Sequence, residues 1–114
     1  MQTYRDLIVW QRSIELVTAI YQLTNAYPKS ELFGLTSQMR RAAVSIPSNI
    51  AEGYARKSRK EYIQFLRIAE LETQLTITRN LALVTEEKLK VSEALLNETM
   101  RLLNKFISSL TSKP

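Results

Sequence analysis

The sequence predicts an all-α fold, an up-down four-helix bundle, and three observations carry that expectation. The chain of 114 residues has the size of one domain, Met1 to Pro114, with length enough for a single core. Its two glycines and three prolines fall at breaks between segments, Pro47 excepted. Between the breaks apolar residues return every three or four positions, the repeat of a helix lying on a core.

The first helix is expected from about Tyr4 to Ala26, ending before Tyr27-Pro28. Leu7, Trp10, Ile14, Val17 and Tyr21 form one apolar stripe, and at about 100° per residue Val9, Leu16, Ile20 and Leu23 form a second beside it. Together they cover about half of the helix, more than the outside of a lone bundle requires. Val9, Leu16, Ile20 and Leu23 are therefore candidates for an interface with another subunit, the alternative being a tightly wrapped core helix.

After the connection PKSELFG, Leu35, Met39, Ala42, Ile46 and Ile50 mark the core side of the second helix. Pro47 lies within it. Proline offers no amide to the carbonyl of Ala43 and its ring crowds that group, so a kinked second helix is expected. Ala42, Ala43, Ser45, Ser48 and Ala51 allow close backbone approach at the bend, and Ser45, Ser48 or Asn49 are placed to satisfy the freed carbonyl. Gly53 stands where a helix stops, and Ser58-Arg-Lys-Glu61 reads as a capping box that opens the third helix.

The third helix carries an anomaly. Tyr62, Phe65, Leu66 and Ala69 share one face, whereas Ile68, Leu71 and Leu75 lie on a face turned from it by about 150°. Five further residues after Ala69 would rotate the later set by about 140° and restore one stripe, so an interruption or rotation is expected near Ala69 to Leu71. Leu81 to Val84 closes this region, and Thr85 with Glu86 and Glu87 supplies an N-cap and an acidic first turn for the fourth helix. Leu89, Leu96, Met100, Leu103, Phe106, Ile107 and Leu110 mark its buried face, and Ser108 to Pro114 reads as a frayed polar tail.

Composition narrows the chemistry. Without cysteine there is no disulfide framework or thiolate nucleophile, which suits a reducing cytoplasm. Without histidine, Ser-His and Cys-His catalysis and Glu-x-x-His di-iron sites are excluded. The serines and the Asn49–Glu52 pair around Pro47 have no base to activate them, and no enzyme, cofactor or metal is expected. Neither a secretory signal nor an apolar run of about 20 residues occurs, so a soluble, cytoplasmic protein without membrane contact is expected.

Charge supplies the functional hint. Met1 to Arg67 holds ten Lys and Arg against five Asp and Glu, and Ile68 to Pro114 holds six against six, so the net +5 lies in the first part. Arg40, Arg41, Arg56, Lys57, Arg59, Lys60 and Arg67 are the candidate nucleic-acid contacts, since Lys and Arg that neutralise phosphates release condensed counterions. RKSRK at a helix start adds backbone amides with the same preference. Tyr54 and Tyr62 flank it, placed to stack on unpaired bases, although Tyr62 also fits the core pattern. The bland reading of the same run is a solvated loop.

Four groups of residues resemble a known family: Asp6-Leu7 with Val9-Trp10, Pro28 with Glu31 and Phe33-Gly34-Leu35, the stretch Gln38 to Gly53, and Glu70 to Leu75. The family is that of the four-helix bundle proteins encoded within intervening sequences of bacterial 23S rRNA genes, and the resemblance spans nearly the whole chain. It implies an up-down bundle assembled as a ring of five, a homopentamer. Similar accessory proteins of diversity-generating retroelements imply nucleic acid and a reverse transcriptase as partners. The chain departs from the family where a Gly-Ser-Leu-containing insert is usual, between Ala69 and Glu70, close to the jump in the apolar stripe. The expected function is a non-enzymatic oligomer that binds RNA or DNA through a basic surface, the alternative being a structural or adaptor oligomer whose partner is protein.

Overall fold

Thr3 decides where the first helix begins. Its hydroxyl accepts from the Arg5 amide and its own amide donates to the Asp6 carboxylate, a capping box around one 3-10 turn, Tyr4–Asp6. Leu7 is then extended, so α1 runs from Ile8 to Thr24 and the expected single helix from Tyr4 is divided. The computed structural model describes residues 3–56 and 61–111, with side chains for 3–55 and 63–109. Among the described residues there are three further α-helices and no strand: α2 (Ser37–Arg56), α3 (Glu61–Asn80) and α4 (Glu86–Thr111).

Contacts at the connections set the directions. Arg40 near the start of α2 bonds Thr24 at the end of α1, and Arg79 at the end of α3 bonds Glu86 and Glu93 of α4. Thr78 meets Met39, so the end of α3 lies level with the start of α2. Neighbours are thus antiparallel in an up-down four-helix bundle of 49 × 22 × 21 Å.

The core reverses the expected roles of the two stripes on α1. Val9, Leu16, Ile20 and Leu23 are 3%, 0%, 0% and 5% exposed and join Met39, Ile46, Ile68, Leu75, Leu89 and Leu103 in one cluster. They are the core face of this chain and have no surface to offer a second subunit, which corrects their assignment as an oligomer interface. Trp10 and Val17 are half-buried, and Ile14 and Tyr21 are the more exposed members of the outer stripe. Two polar residues explain the reversal. Ser13 and Thr24 lie on the inner face, each hydroxyl donating to a carbonyl three or four residues back, so both enter the core without an unmade hydrogen bond.

α2 runs through Pro47 and through Gly53 to Arg56, so Gly53 is not its stop. No glycine adopts positive φ among the described residues, and in a helical conformation Gly costs only about 1 kcal/mol relative to Ala. Met39, Ala42, Ala43, Ile46 and Ile50 are buried as expected. The Ser45 and Ser48 hydroxyls bond the carbonyls of Ala42 and Val44, leaving Ala43 to neither of them.

α3 is unbroken, and the expected interruption near Ala69 to Leu71 is absent. Ile68, Leu71, Leu75 and Thr78 are buried, so the helix takes the register of its second half. The earlier set is left behind: Phe65 is half-buried, Leu66 is 59% exposed and Ala69 is exposed. That register also carries Gln64 into the core, where its Oε1 meets no protein donor. The helix ends in a Schellman motif, with Ala82 at φ 52, its amide on the Arg79 carbonyl and the Leu83 amide on that of Thr78. Thr85 caps α4 through the Lys88 amide, and α4 continues to Thr111 where a frayed tail was expected from Ser108. Leu89, Leu96 and Leu103 are buried, with Met100, Phe106 and Ile107 packed beside them.

Candidate nucleic-acid interface

Arg40 is fixed by its neighbours. Nε donates to Thr24 Oγ1 at 2.8 Å, Nη2 to Asn25 Oδ1 at 3.0 Å, and the guanidinium stacks 4.5 Å from the Tyr21 ring centroid. Its donors join α1 to α2, which makes it a clamp between helices first and a charge second. Arg41 is exposed and donates to Ser37 Oγ at 2.8 Å, keeping its charge at the surface. Arg67 pairs with Glu70 at 3.0 Å one turn on, an exposed pair of small energetic value. The side chains of Arg56, Lys57, Arg59 and Lys60 and the capping box at Ser58 lie outside the described residues, as does the side chain of Tyr62. Tyr54 is half-buried against the core, which removes most of its ring from solvent.

Other basic residues come together through the topology. Arg12 Nε bonds Glu98 Oε2 at 2.9 Å, setting α1 and α4 in register. Arg5, in the turn before α1, stands at the end of the bundle where α4 finishes, and on α4 Arg101 is one turn above Lys105. All three are exposed. The α2–α3 connection is at the same end, since α2 ends at Arg56 and α3 begins at Glu61.

Acidic charge collects elsewhere. An open groove of about 260 Å³ between α3 and α4 is lined by Glu72, Leu75, Thr76, Glu93, Leu96 and Asn97. Glu93 and Glu86 hold Arg79, raising its pKa above the ordinary arginine value, with the hydrogen bond to Glu93 as the larger cause. Arg12 is raised likewise by its hydrogen bonds to Glu98 and Glu15. Both guanidiniums are thereby committed to carboxylates. No group of three or more His, Cys, Asp or Glu among the described residues is arranged to hold a metal ion, and no described helix is long and apolar enough to cross a membrane.

Sequence reading overlooked Arg5, Arg101 and Lys105. A signal for two of them was present: Ile68 to Thr99 has three basic residues against six acidic, and Met100 to Pro114 has three against none, so the balance of the second part is a separation of signs.

A comparison with characterised proteins finds no match. Residues 5–105, nearly all of the bundle just described, match the 23S rRNA-intervening sequence protein family, and the chain belongs to that family.

Proposed function

We propose that this chain is a non-enzymatic, oligomeric, cytoplasmic bundle that binds RNA or DNA through basic side chains, as an accessory to another protein such as a reverse transcriptase. The observation that carries the reading is the net +5, with ten basic against five acidic residues before Ile68. Such an excess attracts a polyanion through counterion release and is largely indifferent to base sequence. Titration of a labelled single-stranded RNA and a DNA duplex at increasing salt tests the reading: affinity should fall log-linearly with salt for both. Absence of binding at low salt rejects it.

A structural oligomer with a protein partner is the second reading, favoured by Ile14, Tyr21 and Val44, which are 39%, 40% and 41% exposed on α1 and α2. A homo-oligomer, a ring of five by resemblance, would cover such side chains. Light scattering after size exclusion decides it, a monomer at tens of micromolar (an order-of-magnitude test of weak association) counting against assembly. A bend at Pro47 belongs to the same proposal, because proline gives the Ala43 carbonyl no amide. Spin labels at Arg41 and Ala55 should lie further apart in Pro47→Ala than in the parent, and equal separations would mean a straight helix.

A further inference from the structure

We propose that the nucleic-acid backbone is held at the end of the bundle that carries Arg5, Arg101 and Lys105, and not along the flank that bears Arg41 and Arg67. The inference rests on the nucleic-acid reading and gives it a place. The antiparallel packing of α1 and α4, tied by Arg12 and Glu98, places Arg5 at the end of the bundle where α4 finishes, and the helical repeat puts Arg101 and Lys105 on one outward strip of α4.

Among the described residues none of these three is held in an ion pair, whereas Arg12, Arg67 and Arg79 are each held by glutamate. The Arg5 guanidinium lies 5.0 Å from the Tyr4 ring centroid, a contact that leaves its donors open to a phosphate. Two described carboxylates share this end. Asp6 caps the Thr3 amide, and Glu52 stands on α2 one turn before Arg56. The carboxylates of the second part lie elsewhere along the bundle, from Glu70 to Glu98.

Nucleic acid fits this end better than an anionic membrane. Membrane-surface binding joins basic residues to an inserted apolar group. The most exposed apolar side chain, Phe33 at 92%, stands with Leu32 and Leu81, 46% and 58% exposed, at the opposite end, in the α1–α2 connection and after α3. The basic end exposes only separate aliphatic side chains among the described residues, Ile8 at 58% and Leu66 at 59%. At the basic end Tyr4 packs edge-on against Trp10 with centroids 5.3 Å apart, so its ring is occupied and bases gain no free platform there. Contacts to the backbone, with slight sequence preference, follow.

The test compares the full chain with two variants by fluorescence anisotropy on one labelled single-stranded oligonucleotide over a range of salt. Arg5→Gln with Arg101→Gln and Lys105→Gln should lower the log-log salt slope by about 2, at about 0.7 per lost phosphate contact. Arg41→Gln with Arg67→Gln should leave it near the parent value. Circular dichroism controls for folding, and Arg101→Gln with Lys105→Gln, which spares the Tyr4 contact, should give a slope between parent and triple variant. A triple variant that binds like the parent overturns the assignment while the nucleic-acid reading stands, and so does an equal loss in both variants. A parent that binds no oligonucleotide, or only vesicles of anionic phospholipid, removes the reading and the assignment together.

Discussion

The Tyr27 hydroxyl lies 2.6 Å from Thr78 Oγ1, a contact across 51 positions of chain that ties the α1–α2 connection to the last turn of α3. Thr78 donates to the Gln74 carbonyl at 2.8 Å, so Tyr27 is the donor to Thr78. Met39 Sδ stands beside both. Tyr27→Phe should cost about 1–2 kcal/mol, the loss of one buried hydrogen bond. Burial raises the Tyr27 pKa above its ordinary value. The folded state therefore keeps the phenol proton longer than the unfolded chain. Its contribution is fully present below about pH 10 and declines as pH rises toward the folded pKa. Urea midpoints measured between about pH 8 and 11 should fall less steeply in Tyr27→Phe than in the parent.

Ala82 occupies the left-handed position of the Schellman motif at φ 52. Glycine has no Cβ to strain there, and Ala82→Gly should stabilise the protein by about 1 kcal/mol. Ala82→Val should do the reverse, read as opposite shifts of the denaturation midpoint.

Leu16 and Ile20 are wholly buried. Glutamate at both positions places two unpaired charges in the core, and Leu16→Glu with Ile20→Glu should abolish the helical circular dichroism signal. Ile14→Lys, on the half-exposed stripe, should change stability by no more than about 0.5 kcal/mol. Retention of helix in the double variant would contradict the assignment of this face to the core.

Gln64 is 7% exposed with an Oε1 that meets no protein donor, and Leu66 two positions on is 59% exposed. Gln64→Leu should raise stability by about 1–3 kcal/mol through relief of an unsatisfied polar group. Leu66→Gln should be close to neutral. Equal and small effects from both would mean that the first half of α3 is not packed in this register.

Arg40 and Arg41 are adjacent and differ in kind. Arg40→Ala removes the bonds to Thr24 and Asn25 and the stack on Tyr21, and a loss of about 1–3 kcal/mol is expected. Arg41→Gln should leave the thermal midpoint unchanged. Comparable losses in the two variants would deny Arg40 its role as clamp.

Local pattern alone was enough for much of this protein. Helix count, the core side of α2, the Thr85 cap and the buried leucines of α4 follow from spacing and capping chemistry, which act within a few residues. Apolar periodicity also found both stripes of α1, but Ser13 and Thr24 belong to neither stripe, since periodicity counts a hydroxyl as polar whether or not a carbonyl of the same helix satisfies it. Which stripe faced inward was settled by packing against α2 and α4. The same holds for α3, whose two apolar sets compete for one core: Ile68, Leu71 and Leu75 entered it, and Leu66 was left out. Charge behaves likewise. The sequence by itself determined the excess of +5. Only the antiparallel packing of α1 and α4, tied through Arg12 and Glu98, decided that Arg5 and Lys105 would share one end of the bundle, because residues a hundred positions apart are brought to one end by folding and leave no mark on local spacing.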